Sequence, residues 1–308
     1  MKTKRPFVVV LAGGEGNRLA ALTRALYGTD LPKQFAVLDG ERSLLQSTID
    51  RALAITSEDR ILVVVTAHQE GIARVQLASY PQVDLVIQPR NLDTAPGLLL
   101  PVARIVARGT DDRVVFLPSD HYVANPLPIE RAIDLSAGAG LEDRITLIGV
   151  TPTSAETDYG WIARGSAIGR TGASRVDAFR EKPTLELAHE LREHGALWNT
   201  FISSTSVRLL WSLAHEYLPH HTAALERYAL AIGSLEEEDA LDTAYREMTP
   251  ANFSHDLLAR TSALAVIPVA GTGWTDWGSP SRVFASLSGT PGHDRLLERI
   301  GGDLALAG

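Results

Sequence analysis

The segment FVVVLAGGEGNRL, residues 7–19, joins a run of β-branched residues directly to a glycine-rich turn. Gly13, Gly14 and Gly16 would let backbone N–H groups approach an anion closely, and a helix starting after the turn would add its dipole. Leu19 stands where a dinucleotide fingerprint has its third glycine, and the Lys-Ser/Thr ending of a P-loop is absent. The segment therefore predicts a phosphate-binding turn of another kind, or a tight strand-to-helix turn without ligand.

Composition narrows the class of protein. The chain has 308 residues, is 45% hydrophobic and carries a net charge of −8, so it can bury a large core and lacks the basic balance of a nucleic-acid binder. There are no cysteines, which excludes thiolate catalysis and Cys-ligated zinc. The N-terminal apolar run is interrupted at Gly13-Gly14, too early for a signal peptide, and no run approaches membrane-span length. We expect a cytoplasmic protein with no nucleic-acid or membrane partner.

Apolar runs of strand length alternate with helical patterns in the first half of the chain. The strand-like runs are FVVVLA (7–12), ILVVVT (61–66), DLVIQ (84–88), RVVFLPSDH (113–121) and ITLIGV (145–150). Helical patterns follow at 43–55, where Ser43 can cap, and at 69–79, 94–109 and 128–138, with Pro101 expected to kink the third helix or delay its start. Continuous Val/Ile/Leu runs between helices predict a doubly wound, mostly parallel, Rossmann-like α/β sheet.

The second half is more mixed. From residue 158 the strand-like segments contain more polar residues, as expected of strands that line a substrate cleft. Helices are predicted at 184–194, 206–217 and 221–247, a late strand at 263–270, and a helical tail from Arg282 that packs back or meets a partner chain. The histidines His215, His220 and His221 are predicted to be solvated.

Two cationic side chains follow the first strand. Arg18 can hold phosphate oxygens with its planar guanidinium, and it sits where the glycine turn meets the following helix. In LPKQF (31–35), Pro32 fixes the backbone just before Lys33. A glycine turn, an arginine and a lysine this close together favour a phosphate ligand.

Acidic residues stand at two further positions. Asp120, in PSDH at the end of the fourth strand, would lie at the carboxyl edge of the sheet and could bind Mg²⁺ or cap a helix. Asp276, between two tryptophans in GWTDWGSP, could likewise bind a metal or could cap a turn. In FREKP (179–183), Glu181 and Lys182 would point to opposite faces of an extended segment, one towards sugar hydroxyls and the other towards a phosphate.

These motifs together resemble the sugar-1-phosphate nucleotidyltransferases, and in particular the mannose-1-phosphate guanylyltransferases. LAGGEGNRL is similar to the family's LAGGxGTRL, and PKQF, PSDH and FREKP match its later motifs in order. QPRNLDTAP (88–96), WNTFI (198–202) and WTDWGSP (274–280) resemble further family segments, so the likeness covers nearly the whole chain. The C-terminal β-helical or cupin-like domain of some relatives is expected to be absent.

The resemblance implies a reaction. The phosphate oxygen of a sugar 1-phosphate attacks the α-phosphorus of a nucleoside triphosphate in line, and pyrophosphate leaves. It implies one catalytic domain over 1–281, with a nucleotide-binding half (1–150) and a sugar-phosphate-binding half (151–281), followed by the tail 282–308.

It also implies roles for individual residues. Arg18, Lys33, Asp120, Lys182 and Asp276 would be catalytic, with Mg²⁺ held by Asp120 and Asp276. The nucleotide, GTP by resemblance, would be bound by Leu11, Ala12, Gly13, Gly14, Gly16, Asn17, Arg18, Lys33, Gln88, Asn91, Thr94, Ala95 and Asp120. The sugar phosphate, mannose 1-phosphate by resemblance, would be bound by Gly160, Glu181, Lys182 and Asn199.

Several positions depart from the family pattern. Asn17 replaces the usual Thr, Gln88 replaces a Glu, Asp93 is inserted in the N-T-A-P stretch, and GTDL (28–31) lengthens the loop before Lys33. Three alternatives therefore stay open: another sugar or base, such as glucose 1-phosphate with UTP or dTTP; a catalytically silent paralogue that senses nucleotide sugars; and an NAD-dependent oxidoreductase, against which Leu19 argues. A homodimer is also left open.

Overall fold

A computed structural model describes residues 5–138 and 140–301, which contain a nine-stranded sheet. The strands are β1 Phe7–Leu11, β2 Ile61–Thr66, β3 Asp84–Gln88, β4 Arg113–Pro118, β5 Ile145–Val150, β6 Gly160–Ala167, β7 Ser174–Glu181, β8 Leu197–Ser206 and β9 Leu264–Val269. The α-helices are α1 Ala20–Tyr27, α2 Leu44–Ile55, α3 Glu70–Gln76, α4 Thr94–Ala107, α5 Leu127–Ser136, α6 Leu185–Glu193, α7 Val207–Tyr217, α8 Pro219–Ala231, α9 Glu237–Glu247, α10 Pro280–Leu287 and α11 Pro291–Arg299. Within the described ranges, no helix has the length and apolar character required to cross a membrane.

The strand order is β3-β2-β1-β4-β8-β5-β9-β7-β6. Strand β1 lies between β2 and β4 and runs parallel to both. Strand β8 is inserted antiparallel between β4 and β5, and β7 runs against β6 and β9. All the other strands in the described part of the chain share one direction, so the predicted mostly parallel, doubly wound sheet is confirmed.

The continuous apolar strands are explained by burial on both faces of the sheet. Val8 and Val10 of β1 face a core that includes residues of α2, α3 and α5. Phe7 and Val9 face a second core that includes residues of α4, α7 and α8. Because alternate side chains enter different cores, every position of such a strand is apolar.

Three predictions about the helices can be compared with the structure. Ser43 caps α2 as expected: its hydroxyl accepts from the Gln46 N–H at 3.1 Å, and the Gln46 side chain accepts from the Ser43 N–H at 3.2 Å. Helix α4 runs from Thr94 through Pro101, so of the two alternatives for Pro101 the late start is wrong and the kink stays a prediction. The predicted helix 221–247 is also wrong, because it consists of α8 and α9 with an interruption at Gly233, whose φ is 80°.

One predicted surface histidine is buried. His221 is 5% exposed, and its Nε2 lies 2.8 Å from the Thr249 carbonyl oxygen. The prediction that it is solvated is therefore wrong. His215 lies at the surface, with Nε2 2.9 Å from the Glu226 carboxylate.

The C-terminal helices pack back onto the N-terminal part of the chain. Helix α10 begins at Pro280, slightly before the predicted tail, and residues 302–308 of that tail lie outside the described residues. A separate apolar cluster joins the C-terminal helices to the start of the chain; its buried members are Leu19, Leu22, Ala36, Leu38, Leu44, Trp277, Val283, Phe284, Leu287, Leu296 and Ile300. The division of the catalytic domain at residue 150 stays a prediction.

We predict that this cluster stabilises the whole fold. Leu287 is fully buried in it, so Leu287→Ala should lower the free energy of unfolding by about 2–5 kcal/mol, measured by urea denaturation. Leu230→Ala is the matched control, because Leu230 is 89% exposed on α8 and its loss should change stability by less than about 0.5 kcal/mol. Equal stabilities for the two variants would contradict the packing role of α10.

Candidate active site

The glycine turn after β1 is held from one side by two glutamine side chains. The Gln34 side-chain amide donates to the Ala12 carbonyl at 2.9 Å and to the Gly14 carbonyl at 2.6 Å. Gln69 donates to the same Gly14 carbonyl at 2.9 Å. With these carbonyls bound to side chains, the shape of the turn is set before any ligand arrives.

Gly16 brings this turn against the segment that carries Lys33. Its φ is 66°, and a Cβ atom at this position would lie 2.6 Å from the Lys33 backbone nitrogen. Glycine is therefore required both by backbone conformation and by space. The contact joins the two motifs that the sequence placed on separate loops.

Lys33 is a buried cation at the centre of the site. Its side chain is 1% exposed, and its Nζ lies 3.1 Å from the Asp120 carboxylate. It also donates to the backbone carbonyl of Asp276 at 2.6 Å. A buried ammonium group is tolerated only when it is paired and hydrogen-bonded, and here both partners are themselves predicted site residues.

Backbone pairing brings Asp120 and Asp276 together from distant parts of the chain. Tyr122 and Thr275 exchange two backbone hydrogen bonds, of 2.9 and 3.1 Å. The ring of Tyr122 also stacks on that of Trp277, with centroids 4.5 Å apart. The two carboxylates therefore lie on neighbouring segments at the carboxyl edge of the sheet.

Both oxygens of the Asp276 carboxylate have partners. Arg18 donates to Oδ2 at 2.7 Å, while the Gly278 N–H and Arg282 donate to Oδ1 at 2.9 and 3.1 Å. Burial by itself would raise the pKa of Asp276, but the charge of Arg18 and its cationic neighbours outweighs burial and holds that pKa below the ordinary value. At Asp120 the pKa is likewise raised by burial but lowered overall, chiefly by Lys33.

Two ionised carboxylates are suitable ligands for Mg²⁺. This cation takes oxygen ligands and is typically held by one or two carboxylates together with substrate phosphates. Within residues 5–138 and 140–301, no group of three or more His, Asp or Glu side chains is arranged to hold a metal. Asp120 and Asp276 therefore fit a cation whose remaining ligands come from a phosphate and from water.

His121, next to Asp120, is partly buried, with its side chain 14% exposed. Its Nε2 lies 3.7 Å from an oxygen of Asp120, and its ring packs edge-on against Trp274 with centroids 5.3 Å apart. Burial lowers the pKa of His121, which favours the neutral ring.

The opposite wall contains the predicted sugar-phosphate residues. Gly160 of β6 pairs with Glu181 of β7, and a Cβ on Gly160 would lie 2.8 Å from the Glu181 carboxylate and 3.4 Å from the Asn199 Cβ. Burial raises the pKa of Glu181, and neighbouring Lys182 opposes this. Lys182 lies just after β7 and has a φ of 44°, so the extended backbone ends at Glu181. The prediction that Glu181 and Lys182 point to opposite faces assumed an extended segment through both residues, and the strand does not include Lys182.

The predicted base-binding residues occupy two different environments. Gln88 is buried, accepts from the Tyr245 hydroxyl at 3.2 Å and lies beneath Gly13. The exposed Asn91 accepts from the Asp93 N–H at 2.9 Å. The inserted Asp93 caps α4, and Thr94 accepts from the Phe253 N–H at 2.9 Å.

A cleft of about 1010 Å³ connects these walls. The predicted site residues that line it are Leu11, Ala12, Gly13, Gly14, Arg18, Thr94, Asp120, Gly160, Glu181, Lys182, Asn199 and Asp276. The predicted site residues that do not line it are Gly16, Asn17, Lys33, Gln88, Asn91 and Ala95. The first set could touch a ligand in this conformation, whereas Lys33 and Gln88 support the wall from behind.

Backbone strain is concentrated around this cleft. The non-glycine residues with positive φ in the described ranges are Asp93, Lys182, Phe201 and Trp277. Lys182 and Phe201 line the cleft, and the other two are sequence neighbours of Thr94 and Asp276. Such conformations cost about 1–3 kcal/mol each and tend to occur at functional sites.

Sequence reasoning did not select several residues that shape the site. Gln34 belongs to the quoted motif LPKQF, and Gln69 forms a visible capping-box spacing with Thr66, so both had a sequence signal. Phe201 likewise belongs to the quoted motif WNTFI, whereas Asn252 and Arg282 had no such signal. Their positions depend on how distant segments meet.

Comparisons with known proteins identify the family of the chain. A family model described as Nucleotidyl transferase matches residues 7–288. The chain is 31% identical over 290 residues to alginate biosynthesis protein AlgA of Pseudomonas aeruginosa, and 29% identical over 289 residues to mannose-1-phosphate guanylyltransferase of Salmonella muenchen. Each alignment covers 90% of this chain, but only 57% and 58% of those relatives, so the chain spans little more than half their length.

A solved structure is also similar to this chain. The crystal structure described as mannose-1-phosphate geranyltransferase from Thermus thermophilus superposes with a TM-score of 0.78 and 28% identity, covering 94% of this chain and 81% of that one. The fold and cleft therefore define a protein of the nucleotidyltransferase class. The chain belongs to the Nucleotidyl transferase family, which is a family of enzymes.

We predict that Gly16 is required for the packing of the glycine turn against Lys33. Gly16→Ala should destabilise the protein by more than Gly28→Ala, since both glycines have positive φ but only at Gly16 would a new Cβ meet the backbone, at 2.6 Å. Gly28→Ala should cost about 1 kcal/mol from backbone strain alone. Thermal denaturation of both variants measures the difference, and equal losses would show that the close contact relaxes without cost.

Proposed function

We propose that the chain transfers a nucleotidyl group from a nucleoside triphosphate to a sugar 1-phosphate and releases pyrophosphate. The observation that carries this proposal is the position of Arg18 and two carboxylates on one wall of the cleft, with Lys33 buried behind them and Glu181 and Lys182 on the other wall. Cations and carboxylates on one side suit a metal-bound triphosphate. A cation and a hydrogen-bonding carboxylate on the other suit a phosphorylated sugar.

Phosphoryl transfer of this kind depends on positioning the reactants and neutralising charge, and it needs no nucleophilic side chain. The turn at Gly13 and Gly14 would hold the triphosphate, and Arg18, which is 52% exposed, is free to turn from Asp276 to a phosphate. Lys33 cannot turn towards a phosphate in the same way, because it is buried and paired with Asp120. It would act by keeping Asp120 and Asp276 in place and by adding fixed positive charge behind the α-phosphate.

The sugar phosphate would lie along the other wall. Lys182 would bind its phosphate, while Glu181, Asn199 and the Gly160 backbone would bind its hydroxyl groups. This arrangement would direct a phosphate oxygen of the sugar at the α-phosphorus, opposite the departing pyrophosphate. Mg²⁺ held by Asp120 and Asp276 would, when bound, reduce the negative charge on the two reacting phosphates.

GTP and mannose 1-phosphate are the substrates that we propose. Support comes from the Salmonella muenchen relative, which is named a mannose-1-phosphate guanylyltransferase, and from the sequence motifs of that branch. The silent-paralogue alternative is disfavoured because Arg18, Lys33, Lys182 and both carboxylates are retained. Location in the cytoplasm stays a prediction from the sequence.

A pyrophosphate-release screen tests the function. GTP, UTP, dTTP, ATP and CTP are combined with mannose 1-phosphate, glucose 1-phosphate and other sugar 1-phosphates in the presence of Mg²⁺. We expect the highest rate with GTP and mannose 1-phosphate. A higher rate with another pair would replace these substrates, and release with none of the pairs would overturn the proposed function.

The two carboxylates are predicted to be essential. Asp120→Asn and Asp276→Asn should each lower kcat by roughly 100-fold or more, because charge stabilisation at the reacting phosphates is lost. Asp111→Asn, at the other end of β4 in a surface pair with Arg208, is the matched control and should keep its rate. Circular dichroism verifies folding, and a near-normal rate in either site variant removes that residue from the metal site.

Lys182 is predicted to bind the sugar phosphate. Lys182→Ala should raise the KM for sugar 1-phosphate by about tenfold or more, since a charged hydrogen bond is lost, and should leave the KM for the nucleotide nearly unchanged. Arg175→Ala removes an exposed cation of β7, the strand that precedes Lys182, outside the cleft, and controls for net charge. A rise in the nucleotide KM alone would refute this role.

A further inference from the structure

Arg282 is a cation that the family motifs did not single out, and it contacts more side chains than Arg18 does. It donates to Asp276 Oδ1 at 3.1 Å, to Glu156 at 2.7 Å and to Asp158 at 3.0 Å. Its guanidinium also lies over the Tyr159 ring, 4.7 Å from the centroid. These contacts join the start of α10 to the segment that leads into β6.

The two arginines at Asp276 differ in how firmly they are held. Arg18 is 52% exposed and its hydrogen bond to Asp276 is a single one of 2.7 Å. Arg282 is 20% exposed and is bound by three carboxylates and an aromatic ring. A triphosphate entering the cleft can therefore attract Arg18 away from Asp276. Arg282 would stay in place, because leaving would break its contacts with three carboxylates.

The departure of Arg18 has different effects on the two oxygens of Asp276. Oδ2 would lose its arginine and become available to a cation. Oδ1 would keep Arg282 at 3.1 Å and the Gly278 N–H at 2.9 Å, so the carboxylate could not rotate. Arginine is suited to holding the Asp276 carboxylate in one orientation, because its planar guanidinium can donate to several acceptors in a fixed geometry.

We propose that Arg282 is a positioning residue that holds Asp276 Oδ1, so that Oδ2 faces a divalent cation once the nucleotide has drawn Arg18 away. This inference rests on the proposed function, in which Asp276 binds Mg²⁺. It adds a requirement: the C-terminal helix α10 is part of the active site. Groups that orient a metal ligand typically change metal affinity by about 10–100-fold when they are removed.

The same contacts give Arg282 a second effect. Glu156 and Asp158 precede Gly160, and the Tyr159 hydroxyl lies 3.3 Å from Thr275 Oγ1. Arg282 therefore connects the proposed cation site with the proposed sugar wall. Its loss should disturb cation binding first, because Asp276 is its direct partner and Gly160 is not.

The test compares nucleotide affinity with and without cation. Binding of GTP, or of whichever nucleotide the wild-type protein uses in the screen, is measured by calorimetry in Mg²⁺ and in EDTA. For Arg282→Gln we expect the Mg²⁺-dependent gain in affinity to fall by about tenfold or more, and the affinity in EDTA to stay near wild type. The Mg²⁺ concentration for half-maximal turnover should rise in parallel.

Two further variants make the result specific. Arg282→Lys keeps the charge but cannot contact three carboxylates at once, so its Mg²⁺-dependent gain should lie between those of wild type and Arg282→Gln. It also serves if Arg282→Gln fails to fold. Arg295→Gln on α11, whose contact with Asp39 is at 4.0 Å and which is outside the cleft, should behave as wild type.

The outcomes separate this inference from the proposed function. An unchanged Mg²⁺-dependent gain in the folded Arg282 variants, with active wild-type protein, overturns the role of Arg282 alone. An equal loss of affinity in Mg²⁺ and in EDTA also overturns it, because the residue would then support the fold or the nucleotide and not the cation. Absence of pyrophosphate release by the wild-type protein overturns the proposed function instead.

Discussion

The buried ammonium group of Lys33 is the contact on which the rest of the site depends. It lies between the carboxylate of Asp120 and the backbone carbonyl of Asp276, and so joins three segments that are far apart in the sequence. Removing one partner from a buried ion pair typically costs about 3–5 kcal/mol, because the remaining charge stays buried. The contacts of Lys33 therefore hold the three segments together electrostatically without any ligand.

The charges around this lysine are distributed between fixed and movable groups. Lys33 and Arg282 are enclosed by their partners, whereas Arg18 is half exposed at the mouth of the cleft. In the absence of substrate, cationic side chains compensate both carboxylates. In the proposed function, a negatively charged substrate would exchange places with Arg18 while Lys33 and Arg282 keep the geometry, which would limit the reorganisation required for catalysis.

Sequence patterns predicted the central sheet well because the signals are local. Continuous apolar runs such as ILVVVT predicted buried parallel strands, and Ser43, as a capping residue, predicted the start of α2. The errors arose where tertiary contacts decide the extent of a helix or the burial of a side chain. Gly233 interrupts what looked like one helix, and the buried His221 was expected at the surface because nothing nearby in sequence indicates its partner, the carbonyl of Thr249.

The sequence by itself determined the class of fold, the glycine-rich turn after the first strand and the identity of the charged residues, since each is carried by a short motif. Only the tertiary structure decided that Lys33 is buried behind the cleft, that Lys182 leaves the strand at positive φ, and that Arg282 joins the site from α10. The physical reason is that burial and ion pairing are properties of segments brought together by the sheet. Asp120 and Asp276 become neighbours only through the backbone pairing of Tyr122 with Thr275.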